Sequence, residues 1–179
     1  MKLTFFGAAH AVTGSCHCLE VNGKKILIDC GLQQGKDEHD GNTLDFAPNY
    51  IDYVLVTHAH IDHSGRLPLL VKEGFNGRIL TTGLTAQLLS VMLRDSAHIQ
   101  EGDANWHNQK GKRAGLPPVE PLYTLMDAEE AIHMLETVEY GWLFDLCEGV
   151  QVRFNDAGHL LGSFTVEMWA TENGVTKKI

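Results

Sequence analysis

The chain has 179 residues, a length that suits one domain or two very small ones. With 14 Lys and Arg against 23 Asp and Glu, its formal net charge is −9. That balance argues against non-specific binding of nucleic acid over the bulk surface, though not against a local site where bound cations reverse the potential. The apolar fraction of 44% is that of an ordinary globular protein, and no run of about 18 apolar residues offers a membrane span. The stretch Met1–Gly7 lacks the apolar core and cleavage site of a signal peptide, so a cytoplasmic protein is expected.

Taken in chain order, residues 2–6 read as a first strand and Gly7 to Gly14 as a loop. Cys16 to Val21 reads as a second strand, Asn22-Gly23 as a hairpin turn, and Lys25 to Asp29 as the returning strand. Cys16-His17-Cys18 lacks the usual zinc spacing, so its cysteines are read as small buried side chains on one strand face, free thiols in a reducing compartment. Gly31 to Asn49 is polar and glycine-bearing, a long loop. Tyr53 to Thr57 is an apolar, β-branched run that delivers the chain into His58. Gly65 to Lys72 predicts a short helix with Pro68 near its first turn, and Arg78 to Thr81 another strand.

Thr85 to about Arg94 has helical spacing that can extend past Ala97, whereas residues 101–118 read as an exposed polar excursion. Asp127 to Thr137 predicts a helix capped by Asp127, with Ala131, Met134 and Leu135 facing inward. Val150 to Phe154 and Phe164 to Trp169 are strands, and Glu172-Asn173-Gly174 turns into a last segment. There is no sustained βαβ alternation, so a layered α/β (α+β) sandwich is expected rather than a doubly wound sheet.

The chemistry concentrates in Thr57-His58-Ala59-His60-Ile61-Asp62-His63-Ser64-Gly65. If the chain stays extended after the strand, His58 and His60 point the same way; on a helix they would lie about 200° apart. Asp62 and His63 are adjacent and therefore diverge, so they serve a second metal or the far side of the first. Imidazole nitrogens with a carboxylate suit zinc, with manganese or iron as other divalent choices. Such an ion turns water into a nucleophile at neutral pH, and a pair of ions clamps a hydrolytic substrate. His159 follows a predicted strand and has glycines on both sides, and an incomplete cluster needs a third imidazole. Asp29 ends a strand and is read as a carboxylate that buttresses the histidine loop. His10, His17, His39, His98, His107 and His133 are not taken as ligands, although His10 and His17 lie in a region that can approach the cleft. The basic stretch Lys110, Lys112 and Arg113 and the nearby Trp106 are read as solvated or packing residues before RNA contacts.

His58-Ala59-His60-Ile61-Asp62-His63 resembles the His-x-His-x-Asp-His signature of the metallo-β-lactamase superfamily, with Asp29 matching its first motif and His159 its third. The resemblance implies an αββα sandwich in which His58, His60 and His159 hold one metal and Asp62 and His63 help hold the other. Asp62 is placed among the catalytic residues as well. Gly7-Ala8-Ala9, Val12 to Ser15, Ile28 to Leu32, Thr57 to Pro68 and Ala157 to Ser163 are similar to the β-CASP group of RNA-processing nucleases. Asp95 to Glu101 and Pro117 to Tyr123 fit the same group. That implies a dinuclear-zinc phosphodiesterase acting on single-stranded RNA.

The pattern departs from the family at its end. The fourth-motif aspartate would come just after Lys177-Lys178-Ile179, and the β-CASP domain would follow. Residues 1–179 are therefore expected to be the N-terminal part of a longer enzyme, incomplete at the C-terminus and weak or inactive alone. A thioester- or lactam-type metallo-hydrolase and a non-catalytic metal-binding fragment are the alternatives. Metal identity, RNA preference, cleavage mode and homo-oligomer formation are not legible in the sequence.

Overall fold

A computed structural model describes residues 1–35 and 42–179, the side chains of Arg113 and Ala114 excepted. Residues 36–41 of the predicted 31–49 loop, His39 among them, lie outside the described residues.

Two sheets lie face to face. The first runs β1 (Lys2–Gly7), β2 (Cys16–Val21), β3 (Lys24–Ile28), β4 (Tyr53–Leu55), β5 (Arg78–Thr81) and β6 (Leu135–Thr137), in that spatial order. The second has the order β10 (Val175–Lys178), β9 (Phe164–Glu172), β8 (Val150–Asp156) and β7 (Leu143–Cys147), antiparallel throughout. Helices α1 (Ile61–Ser64), α2 (Leu67–Lys72), α3 (Gly83–Ala114) and α4 (Leu125–His133) come from the crossovers of the first sheet.

Period-two alternation of apolar side chains builds two cores from the first sheet. Cys18, Leu27, Val54 and Ile79 face the helices, while their neighbours Leu19, Ile26, Leu55 and Leu80 face the second sheet. There they meet Val152, Phe154, Phe164 and Met168. Each such fully buried side chain contributes about 1.5–3 kcal/mol.

Several boundaries differ from the sequence reading. Strands β3, β4, β5 and β6 pair in parallel, so βαβ crossovers are present after all, two of them supplied by the helical segments between β4 and β6. The long excursion is helical: α3 runs 32 residues to Ala114 before Gly115 adopts φ 69° and ends it. Its second half is exposed on most sides, so it shows no apolar period to read. Helix α4 begins two residues earlier than expected. Thr124 is the N-cap, and Asp127 completes a capping box by accepting from the Thr124 backbone N–H at 2.7 Å. Its predicted tail, Leu135–Thr137, is strand β6 instead. Strand β7 is absent from the sequence reading because Leu143–Cys147 has only one fully buried side chain. Cys16 and Cys18 are buried free thiols, as expected.

Candidate metal centre

The ends of β3, β4 and β8 bring the predicted residues to one edge of the sandwich. Beyond Leu55 the chain leaves the sheet, and His60 (φ −58°, ψ 143°) is the N-cap from which it turns into α1. His58 Nε2 lies 3.1 Å from His60 Nδ1, and His159 Nε2 lies 3.2 Å from the same atom. All three ligand atoms fall within 4.8 Å of one another. Asp62 and His63 sit on α1, one helical turn further, with Asp62 Oδ2 3.7 Å from His63 Nε2. The helix therefore starts before these two residues, earlier than the sequence reading placed it. His58 and His63 rings stack obliquely at 4.1 Å between centroids, which joins the two groups.

The surrounding hydrogen bonds fix which nitrogen faces inward. Asp29 has φ 61°, a left-handed conformation that turns its carboxylate out of the strand alternation and toward the histidine loop. That carboxylate accepts from Thr57 N at 2.8 Å, Thr57 Oγ1 at 2.9 Å and His63 Nδ1 at 2.7 Å. The Thr57 hydroxyl spends its only proton on Asp29, so it accepts from His58 Nδ1 at 3.0 Å. Both rings thus carry hydrogen on Nδ1 and present bare Nε2 lone pairs to the centre. Burial, reinforced by the neighbouring His63, pushes His58 down to about 4. For His63, burial opposes the cation, but the Asp29 hydrogen bond and the charges of Asp29 and Asp62 outweigh it and raise its pKa.

His159 is held from the second sheet. Ser163 Oγ accepts from His159 N at 3.2 Å and Leu160 N at 3.0 Å. Gly162, at φ 85°, passes so close to α3 that its carbonyl accepts from Thr82 Oγ1 at 2.6 Å. Phe164 N donates to Thr57 O at 3.0 Å, tying that loop to the His58 strand.

His60 Nδ1 thus lies 3.1–3.2 Å from the Nε2 atoms of both His58 and His159, and the three nitrogens converge on one point. Tetrahedral zinc with bonds of about 2.0–2.1 Å requires similar nitrogen separations, so this donor set fits such an ion. A cavity of about 530 Å³ opens beside the cluster, lined by His58, His63, His159, Asp29 and the apolar residues Phe5 and Phe164. His17 lines it too, with its ring edge-on to Phe5, and burial lowers its pKa. His10, His98, His107 and His133 are exposed and take no part in the cluster. Trp106 and Lys110 pair with each other on α3, the ammonium 3.6 Å over the ring, and the side chain of Arg113 lies outside the described residues.

The two-sheet sandwich with this histidine centre is a metallo-hydrolase architecture. The chain belongs to the metallo-beta-lactamase superfamily, whose family profile it matches over residues 11–138. It is 38% identical over 165 residues to ribonuclease TTHA0252 of Thermus thermophilus, covering 91% of this chain and 34% of that protein. It is 32% identical over 167 residues to transcription termination factor FttA of Methanosarcina mazei, covering 91% of this chain and 24% of that protein. The chain thus spans about a third or less of the length of these relatives. Among solved structures, it superimposes on MEM-A1, a subclass B3 metallo-beta-lactamase from a soil metagenome library, with a TM-score of 0.58 at 20% identity. That match covers 98% of this chain and 58% of the enzyme, and it speaks to the fold alone. Among the described residues, no helix is long and apolar enough to cross a membrane.

Proposed function

We propose that this chain is the metal-binding part of a β-CASP-type ribonuclease that cleaves single-stranded RNA with two divalent ions, zinc by preference and manganese or iron as alternatives. The observation that carries the reading is the convergence of His58 Nε2, His60 Nδ1 and His159 Nε2. The named ribonuclease relative directs it toward RNA. In this reading His58, His60 and His159 hold one ion, and Asp62 and His63 help hold the second. Asp62 also faces the reacting phosphate. Asp29 orients His63 and, through Thr57, His58. When bound, the ions supply a nucleophile at neutral pH and positive charge against the phosphoryl oxygens.

Residues 1–179 are then the N-terminal part of a longer enzyme acting in the cytoplasm. The coverage of the relatives supports this. Activity is expected from the longer chain and little from this segment.

Elemental analysis of the purified chain tests the centre. Transition metal is expected in the wild type and lost in His60→Ala; equal content in the two would remove the proposal. In the longer protein, RNA cleavage should fall by several orders of magnitude in His60→Ala. Turnover of thioesters or lactams without phosphodiesters would instead assign a small-molecule hydrolase.

A further inference from the structure

Helix α3 carries a second apolar face that nothing among the described residues covers. Leu89, Leu93, Ala97 and Ala104 turn one side of the helix inward. On the other side Met92, Ile99 and Trp106 are exposed, the last two by 55% and 52%, and they recur every seven residues. Single exposed apolar side chains are ordinary on a surface, but a seven-residue repeat is the spacing of a helix–helix seam. At about 100° per residue, Asp95, Ile99, Gly102, Trp106 and Lys110 fall within roughly 80° of the helix circumference. No residue from 105 to 112 is fully buried, so this end of the helix stands clear of the sandwich.

Charge on this face is segregated, with Asp95 toward the start of the helix and Lys110 toward its end. Asp95 makes no ion pair among the described residues, while its neighbour Arg94 is held by Glu129. Lys110 keeps its ammonium 3.6 Å over the Trp106 ring, which steadies the ring and leaves the charge without a counter-ion. Asp95 and Lys110 share their midpoint with Ile99 and Trp106, at the Gly102–Asp103 peptide. Glycine is a poor helix former, and no described atom lies within 4 Å of where a Cβ on Gly102 would sit. Packing within the chain therefore does not require this glycine, whereas a second helix crossing there would. We propose that a second copy of the chain covers the face, the two α3 helices pairing antiparallel about a two-fold axis at Gly102–Asp103. Ile99 of each copy then packs on Trp106 of the other, and Lys110 meets Asp95 across the seam, each contact made twice. The two sandwiches lie at opposite ends of the paired helices and do not collide. An RNA strand fits the face less well, because Asp95 and Asp103 flank it alongside Lys110 and deny it a positive field. The pairing does not depend on the metal or on which substrate the enzyme cleaves.

Light scattering over a concentration series of the 179-residue chain is the test. Twice the chain mass is expected at the upper end of the series. Asp95→Lys and Lys110→Asp should each raise the dissociation constant at least about tenfold, since either one sets like charges together at two symmetric places. The double variant, with the charges exchanged, should recover most of that loss. Both positions are exposed, so circular dichroism of all three variants should match the wild type. A chain still monomeric at about 0.1 mM, far above the dissociation constants of specific complexes, overturns the proposal. It does so whether the face then takes up a single-stranded RNA oligomer or another part of a longer chain. A dimer that neither reversal weakens uses a different surface and overturns it too. Loss in both single variants without rescue in the double would put the two charges apart and overturn the antiparallel register.

Discussion

Asp29 Oδ2 accepts a 2.7 Å hydrogen bond from His63 Nδ1, and the same carboxylate receives both the amide and the hydroxyl of Thr57. One side chain, at φ 61°, therefore sets the orientation of His63 directly and of His58 through Thr57. Replacement Asp29→Asn keeps the size but offers a single weaker acceptor. Metal affinity is expected to fall about 10- to 100-fold, as for other residues that orient metal-bound histidines. Zinc titration against a competing chelator measures it. Affinity equal to wild type would show that the histidine loop holds its shape without this carboxylate.

The two ligand groups should be separable. His60 Nδ1 contacts both His58 and His159, whereas Asp62 and His63 stand together on α1. His60→Ala is expected to abolish tight binding at the three-histidine position. Asp62→Ala is expected to spare that position and remove only the second ion, so stoichiometry falls by one where the wild type holds two. If both variants lose metal in parallel, the centre assembles as a unit.

Gly31 lies where the first-motif turn crosses the histidine loop. A Cβ there would sit 1.7 Å from Asp62 O and 2.6 Å from His63 N, both backbone atoms that cannot swing aside. Three hydrogen bonds between these segments, Ser15 N to Asp62 O, Cys30 N to His63 O and Leu32 N to Ile61 O, would be forced apart. Gly31→Ala should cost more than about 4 kcal/mol or prevent folding, far outside the usual range for a single methyl. Urea denaturation of the metal-free chain gives the figure. A cost under about 1 kcal/mol would mean the loop yields easily.

Much of this centre was legible because its residues are contiguous. His58 to His63 form one string after an apolar run, and an extended chain puts His58 and His60 on one side by period alone. The pairing of the string with His159 is different, since 99 residues separate His60 from its partner. Only the incompleteness of the cluster and the resemblance to a family motif pointed there. The left-handed backbone at Asp29, the tautomers fixed through Thr57 and the clamp of Thr82 on Gly162 are tertiary facts with no local signal. Likewise α3 was cut short in the sequence reading because residues 101–114 bury almost nothing. Helical periodicity shows in sequence only where one face is apolar.

Acid should weaken the metal-free fold through His58. Burial holds its pKa at about 4 against an unfolded value near 6.5, so between those limits the unfolded chain binds the additional proton. Stability contributed by neutral His58 is complete above pH 6.5 and is lost as pH falls toward 4. His63 has the opposite sign: its raised pKa favours the folded state at low pH, and that contribution fades as pH rises through the folded value. Thermal melts from pH 7 to 4 should show a shallower acid loss in His58→Gln than in wild type. An unchanged slope would mean that His58 takes up its proton without strain in the folded chain.

The α3–α4 layer offers a test of hydrogen bonding unconnected with metal. Tyr123 is fully buried, its hydroxyl lies 2.6 Å from Ser96 Oγ, and burial pushes its pKa to about 12. The two ends of this bond are not equivalent. Ser96 lies within α3, so after Tyr123→Phe its hydroxyl can turn to a carbonyl of its own helix, and the loss should be about 1 kcal/mol. After Ser96→Ala the phenol is stranded among apolar side chains, at a cost of about 1–3 kcal/mol. Chemical denaturation should therefore rank Ser96→Ala as the more damaging change although each substitution removes a single oxygen atom. The reverse order would show that the phenol finds another acceptor, or water, within the helical core.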